Sequence, residues 1–152
     1  MRISAKADYA VRVAAELAAA PPKLPVKGEQ LAKAQGIPLK FLENILGSLR
    51  TAGIVASKRG AEGGYLLAQA PNTVTVADVI RAVDGPLGAV RGEPPEDLAY
   101  PGPAARVVDV WIAARASLRT VLEHVTLADL ASGKLSAKLE KMVADPEARH
   151  RR

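Results

Sequence analysis

The sequence predicts a mainly α-helical protein that carries one small β-hairpin. Three features of its 152 residues lead there. Apolar residues recur at helical spacing in successive segments. Only two short stretches read as strands, and they flank a glycine-rich tip. Proline or glycine punctuates most of the boundaries between segments. Hydrophobic residues make up 49% of the chain, enough to build a core in a single domain without covalent staples.

Ser4 is placed to cap a first helix running to about Ala20. Its apolar set, Tyr9, Ala10, Val13, Ala14 and Leu17 with Val11 alongside, forms one stripe, and Pro21-Pro22 ends it. A second helix over about Lys27–Gln35 turns Leu31 and Ala32 inward, with Lys27 a weak cap. Gly36 suits a chain reversal, and Pro38 suits the first turn of a third helix. That helix runs over about Pro38–Ala52, with Phe41 or Leu42 inward together with Ile45, Leu46 and Leu49. Gly53 stops it. Two short helices about a glycine turn match a helix-turn-helix.

Ile54–Ser57 and Tyr65–Ala68 then read as paired strands. Between them lie Lys58-Arg59-Gly60-Ala61-Glu62-Gly63-Gly64, a tip whose glycines permit unusual backbone angles and close approach to a partner. A helix-turn-helix followed directly by a basic hairpin is a winged helix-turn-helix. Thr73 or Thr75 opens a further helix over Val76–Val83, with Val76, Val79, Ile80 and Val83 on one face, closed by Asp84-Gly85-Pro86. Residues 1–84 therefore read as one winged domain.

Residues 85–103 read as a structureless loop, holding five of the eleven prolines and four of the twelve glycines. A long helix over about Ala104–Val125 follows. Its apolar residues wrap beyond one stripe, so one face is expected on the parent domain and the other on a second copy of the chain. Thr126 with Asp129 forms a capping pair for a short helix through Ala131. Residues 104–133 thus form a dimerisation segment, and the charged residues 134–152 form a weakly ordered tail.

Charge is unevenly distributed. The net charge is +5, and all of the excess lies in residues 1–70, which hold ten Lys/Arg against five Asp/Glu. Such an asymmetry is the electrostatic footprint of a polyanion-binding half. A helix of the right kind fits the major groove of DNA. The outward residues of the third helix are Leu39, Lys40, Glu43, Asn44 and Gly47. Lys40 suits phosphate or guanine, Glu43 a cytosine amino group, and Asn44 a bidentate pair with adenine. Arg59 on the thin hairpin suits a narrow minor groove. Gly60 keeps the backbone close, and Lys58 suits phosphate. Arg2, Lys6 and Arg50 are further phosphate candidates.

Four blocks resemble the Rrf2 family of bacterial transcription regulators. They are Met1-Arg2-Ile3-Ser4-Ala5-Lys6 with Tyr9-Ala10-Val11; Gln35-Gly36-Ile37 with Phe41-Leu42-Glu43; Ala52-Gly53-Ile54-Val55 with Ser57, Arg59-Gly60 and Gly63-Gly64-Tyr65; and Asp78–Pro86. The resemblance implies a homodimer that binds operator DNA through its winged helices. It implies base-reading roles for Pro38, Lys40, Glu43 and Asn44, although Pro38 has no side-chain donor. It also implies a helix after the long loop that crosses its twin, which makes Val108, Trp111, Ile112, Arg115, Leu118 and Leu122 the expected dimer interface. Many members hold an iron–sulfur cluster on three cysteines in that loop. Here Gly88–Asp97 has none, so that route to sensing is closed. The loop and Trp111-Ile112-Ala113-Ala114-Arg115 look like the cysteine-free branch, one member of which controls cysteine metabolism through a partner enzyme.

The remaining function classes narrow quickly. With no cysteine there is no disulfide, no thiol nucleophile and no thiolate-held metal. His124 and His150 are far apart in sequence, no Gly-x-Ser-x-Gly elbow exists, and Gly60–Gly64 lacks the Lys-Ser/Thr of a phosphate loop. No catalytic residue, cofactor or metal is expected. No apolar run reaches the roughly 18 residues of a membrane span. Arg12 and Glu16 break the apolar region that a secretion signal needs, so residues 1–20 read as mature structure in a cytoplasmic protein. The expected partners are double-stranded DNA, a second copy, and an effector that is either a small molecule or a protein. The competing reading is a winged-helix docking module that senses a metabolite or partner enzyme without binding DNA.

Overall fold

The computed structural model describes residues 2–150. In chain order it contains α1 (Ala5–Ala19), α2 (Gly28–Gln35), α3 (Leu39–Thr51), β1 (Val55–Lys58), β2 (Gly64–Leu67), α4 (Val76–Asp84), α5 (Val107–Leu122), α6 (Leu127–Ser132), α7 (Ala137–Ala144) and α8 (Pro146–Arg149). Single 3-10 turns occupy Pro95–Asp97 and Gly102–Arg106.

The winged domain forms as its local signals dictate. The Ser4 hydroxyl accepts from the Ala7 N–H at 2.9 Å, capping α1, and donates to the Asp84 carboxylate at the end of α4. Helix α1 buries Ala7, Ala10, Val13, Ala14 and Leu17. Facing it, α3 buries Leu42, Ile45, Leu46 and Leu49, an i, i+3, i+4, i+7 stripe. The choice between Phe41 and Leu42 thus falls to Leu42. Helix α2 starts despite its weak cap because the Gln30 side chain accepts from the Lys27 N–H at 3.2 Å. Gly36 reverses the chain at φ +63°.

The hairpin pairs Val55 with Leu67, Ala56 with Leu66, Ser57 with Tyr65 and Lys58 with Gly64. Val26 adds a single antiparallel bridge to the hairpin by exchanging both backbone hydrogen bonds with Tyr65 at 2.8 Å. The approach is close: a Cβ on Gly64 would lie 2.5 Å from the Val26 carbonyl oxygen.

A short sequence repeat closes the domain. Val74-Thr75-Val76-Ala77-Asp78-Val79 and Val125-Thr126-Leu127-Ala128-Asp129-Leu130 each form a capping box that starts a helix. The two boxes meet at an antiparallel bridge between Thr75 and Thr126. The Val76 N–H donates to Val125 and the Leu127 N–H to Val74, both at 2.9 Å. Leu127 is fully buried in the same core as Ala10, Val13 and Leu46. Residues 127–132, grouped with the long helix on sequence, therefore return to the N-terminal core.

Three expectations need correction. Helix α5 has 16 residues, about 24 Å long, and not the span Ala104–Val125. Its proline-flanked start is a 3-10 turn, and its end must extend so that Thr126 can cap α6. The segment 85–103 is not structureless. Leu87 and Pro95 are buried, Val90 bridges Glu93, and Glu96 meets Arg115 at 2.6 Å. The tail forms α7 and α8, with Leu135 and Leu139 packed on a second apolar cluster around Ala7, Ala77, Ile80 and Val125. Arg151 and Arg152 lie outside the described residues.

Candidate nucleic-acid interface

Helix α3 begins immediately after Pro38, so its first turns project from the helix-turn-helix corner. Pro38, Leu39, Lys40, Phe41, Glu43 and Asn44 are all exposed there. Phe41, the other residue that the periodicity offers to the core in place of Leu42, is 40% exposed. Its ring stands edge-on to Tyr9, centroids 5.6 Å apart and planes at 85°.

Arg12 fixes this corner, a role the sequence reading missed. Its guanidinium lies 5.2 Å from the Tyr9 ring centroid. Its Nε donates to the Gln35 side-chain oxygen at 2.9 Å, and its Nη2 donates to the Gln35 backbone carbonyl at the end of α2. The Asp8 carboxylate pairs with it at 3.1 Å, and the Gln35 amide donates to Glu16. A cation at a helix C-terminus also meets the negative end of the helix dipole.

The hairpin tip carries Lys58, Arg59 and Gly60, all exposed. Gly60 adopts φ +103°, and its carbonyl accepts from the Gly63 N–H at 3.0 Å. A Cβ on Gly63 would fall 2.2 Å from the Lys58 carbonyl oxygen, so the tip is built tightly around that glycine. Arg50 donates to the Ser57 hydroxyl at 3.2 Å, linking the end of α3 to β1. Lys6 is half-buried on α1. Arg2 lines a cleft with Ile80, Leu87, Leu118 and Leu122, residues of α4, α5 and the intervening loop rather than of α3.

Charge pairing separates the regions. Among the described residues the ion pairs are carried by Arg12, Arg81, Arg106, Arg115 and Arg119. Lys40, Glu43, Lys58 and Arg59 have no side-chain partner among those residues. Glu123 receives both Arg81 from α4 and Arg119 from α5. The Arg81 hydrogen bond, then that of Arg119, holds its carboxyl below the ordinary value. Arg115 does the same for Glu96. The Thr126 backbone N–H, followed by its hydroxyl, lowers Asp129.

Helix α5 buries no residue completely. Val110, Trp111 and Ile112 are exposed and Val108 is half-buried. Arg115 turns toward its own chain: besides Glu96, its Cβ would lie 3.0 Å from a Cβ on Gly88. Leu118 and Leu122 line the cleft with Ile80.

A two-helix corner with an exposed second helix, followed by a two-stranded hairpin wing, defines a winged helix-turn-helix protein. Residues 3–133 match the Rrf2 family, described as iron-dependent transcriptional regulators. Rv1287 of Mycobacterium tuberculosis, named among the HTH-type transcriptional regulators, is 50% identical over 97% of this chain and 92% of its own. CymR of Bacillus subtilis, also an HTH-type transcriptional regulator, is 37% identical over 87% of this chain and 91% of its own. The solved structure of CymR, titled the global cysteine regulator of that organism, superposes with a TM-score of 0.74 at 36% identity, covering 89% of this chain and 99% of its own. T. potens IscR superposes with a TM-score of 0.69 at 30% identity, covering 100% and 93%. The chain belongs to the Rrf2 family and is a DNA-binding transcriptional regulator. The iron in the family description finds no match in the donor set. The chain has no cysteine, and no group of three His, Asp or Glu gathers among the described residues. No described helix is long and apolar enough to cross a membrane.

Proposed function

We propose that two copies of the chain, joined through α5, clamp operator DNA in the cytoplasm and repress the adjoining promoter. In this reading Lys40, Glu43 and Asn44 face base edges in the major groove, and Arg59 enters the minor groove beside Gly60. Lys58 and Arg50 meet phosphate, with Lys6 and Arg2 in weaker supporting positions. Val108, Val110, Trp111 and Ile112 supply the face that receives the second copy, while Arg115, Leu118 and Leu122 brace the helix on its own domain. An effector, small molecule or protein, would act on the joint between α4 and α5. No catalytic step is needed.

The observation that carries this reading is the set of exposed charges on α3 and the hairpin tip that have no ion-pair partner among the described residues, while Arg12, Arg81, Arg106, Arg115 and Arg119 are ion-paired. An exposed charge held without a protein partner stays available to phosphate and base edges. Binding to random duplex DNA across a salt series tests it. With about six phosphates met, affinity falls roughly a thousandfold between about 50 and 200 mM salt. A flat response supports the docking-module reading instead.

A further inference from the structure

Pro38 and Phe41 fit no hydrogen-bonding scheme for base edges, yet both lie exposed at the start of α3. With Tyr9 they line an open hollow of about 550 Å³ whose other walls are Lys40 and Asn44. The hollow is held in shape from behind. Phe41 rests edge-on against Tyr9, and Tyr9 lies under the Arg12 guanidinium, which is itself anchored to Gln35. A ring already fixed in place loses little freedom when something docks on it.

The chemistry of the walls names the occupant. The Lys40 cation suits a guanine edge or a neighbouring phosphate, and the Asn44 amide suits the edge of a base. The apolar floor suits the apolar group that a base pair shows in the major groove, the C5-methyl of thymine. We propose that Phe41, with Pro38 and Tyr9 beside it, is a specificity-determining residue that receives a thymine methyl. This rests on α3 lying in the major groove, as set out above. It also gives Pro38, which has no side-chain donor, a part in base recognition.

The experiment starts from a randomised duplex library enriched with the purified full-length protein. Each thymine of the enriched site is then replaced in turn by deoxyuridine, which removes the methyl and leaves the hydrogen-bonding edges intact. One thymine in each half of the site is expected to lose roughly fourfold in affinity, the worth of one buried methylene-sized group. That preference disappears in Phe41→Ala and survives in Phe41→Leu, with a melting curve on each variant to confirm folding. Equal affinity for thymine and deoxyuridine at every position overturns the proposal and leaves DNA binding standing. So does a thymine preference that Phe41→Ala does not change. A library that fails to enrich overturns the major-groove placement itself, and the proposal with it.

Discussion

Two regions of the molecule treat charge in opposite ways. At the joint between α4 and α5, Glu123 takes two arginines, and Arg115 is matched by Glu96 from the loop. On α3 and the hairpin tip, Lys40, Glu43, Lys58 and Arg59 stand without a partner among the described residues. Exposed ion pairs contribute little to stability singly. They do fix geometry, here the angle at which the long helix leaves its domain. The unpaired set fixes nothing in the free protein and stays available to a ligand. The difference separates residues that set shape from residues that recognise.

The largest break in that comparison comes from the wing. In Gly63→Ala the new Cβ meets the Lys58 carbonyl at 2.2 Å, so the tip must open. Affinity for an enriched operator is expected to fall roughly tenfold or more, as for loss of a groove-inserted arginine. Fluorescence anisotropy reads this directly, and unchanged affinity would detach the wing from recognition. A smaller and different effect is expected from Glu43→Ala. Preference at one base pair relaxes by about 1–3 kcal/mol while affinity for other sequences changes little. Enrichment from a randomised library before and after the change compares the two.

The smallest effect on DNA comes from the paired region. Glu123→Gln changes operator affinity less than either substitution above and lowers the melting temperature at neutral pH. The sign follows from the depressed carboxyl. Its contribution is present above the ordinary value of 4.5 and is lost as pH falls through the lower folded value. The gap between wild type and Glu123→Gln therefore closes in acid, and melting curves across pH check it. A gap that widens in acid contradicts the assignment.

Local signals carried most of the winged domain into view before any coordinates. Ser4 and Gly36 mark their boundaries, and Thr75 is one of two candidates for its own, because capping and left-handed turns depend on a few adjacent residues. What stayed hidden depends on distant partners. The bridge at Val26 exists only because Tyr65 pairs with it. Arg12 reads as a polar interruption until Gln35 and Tyr9 surround it. The end of α5 was overshot because Val125 continues the apolar spacing, whereas the Thr126 box requires extended backbone there. One signal was visible in the sequence and missed: the repeat of Val-Thr-x-Ala-Asp at Val74 and Val125, which comparison of the chain with itself would have found. In the interface, the exposure of Lys40, Glu43, Asn44 and Arg59 followed from periodicity and turn chemistry. The exposure of Phe41 did not, because Phe41 and Leu42 fit the stripe equally well until Tyr9 is placed.

Methylation interference on an enriched operator tests the central claim most directly, since dimethyl sulfate marks guanine N7 in the major groove and adenine N3 in the minor groove. If α3 and the wing recognise DNA as a twofold pair, interference is symmetric and falls in both grooves, and Arg59→Ala abolishes the minor-groove signal alone. A one-sided pattern, or one that Arg59→Ala leaves intact, would contradict it.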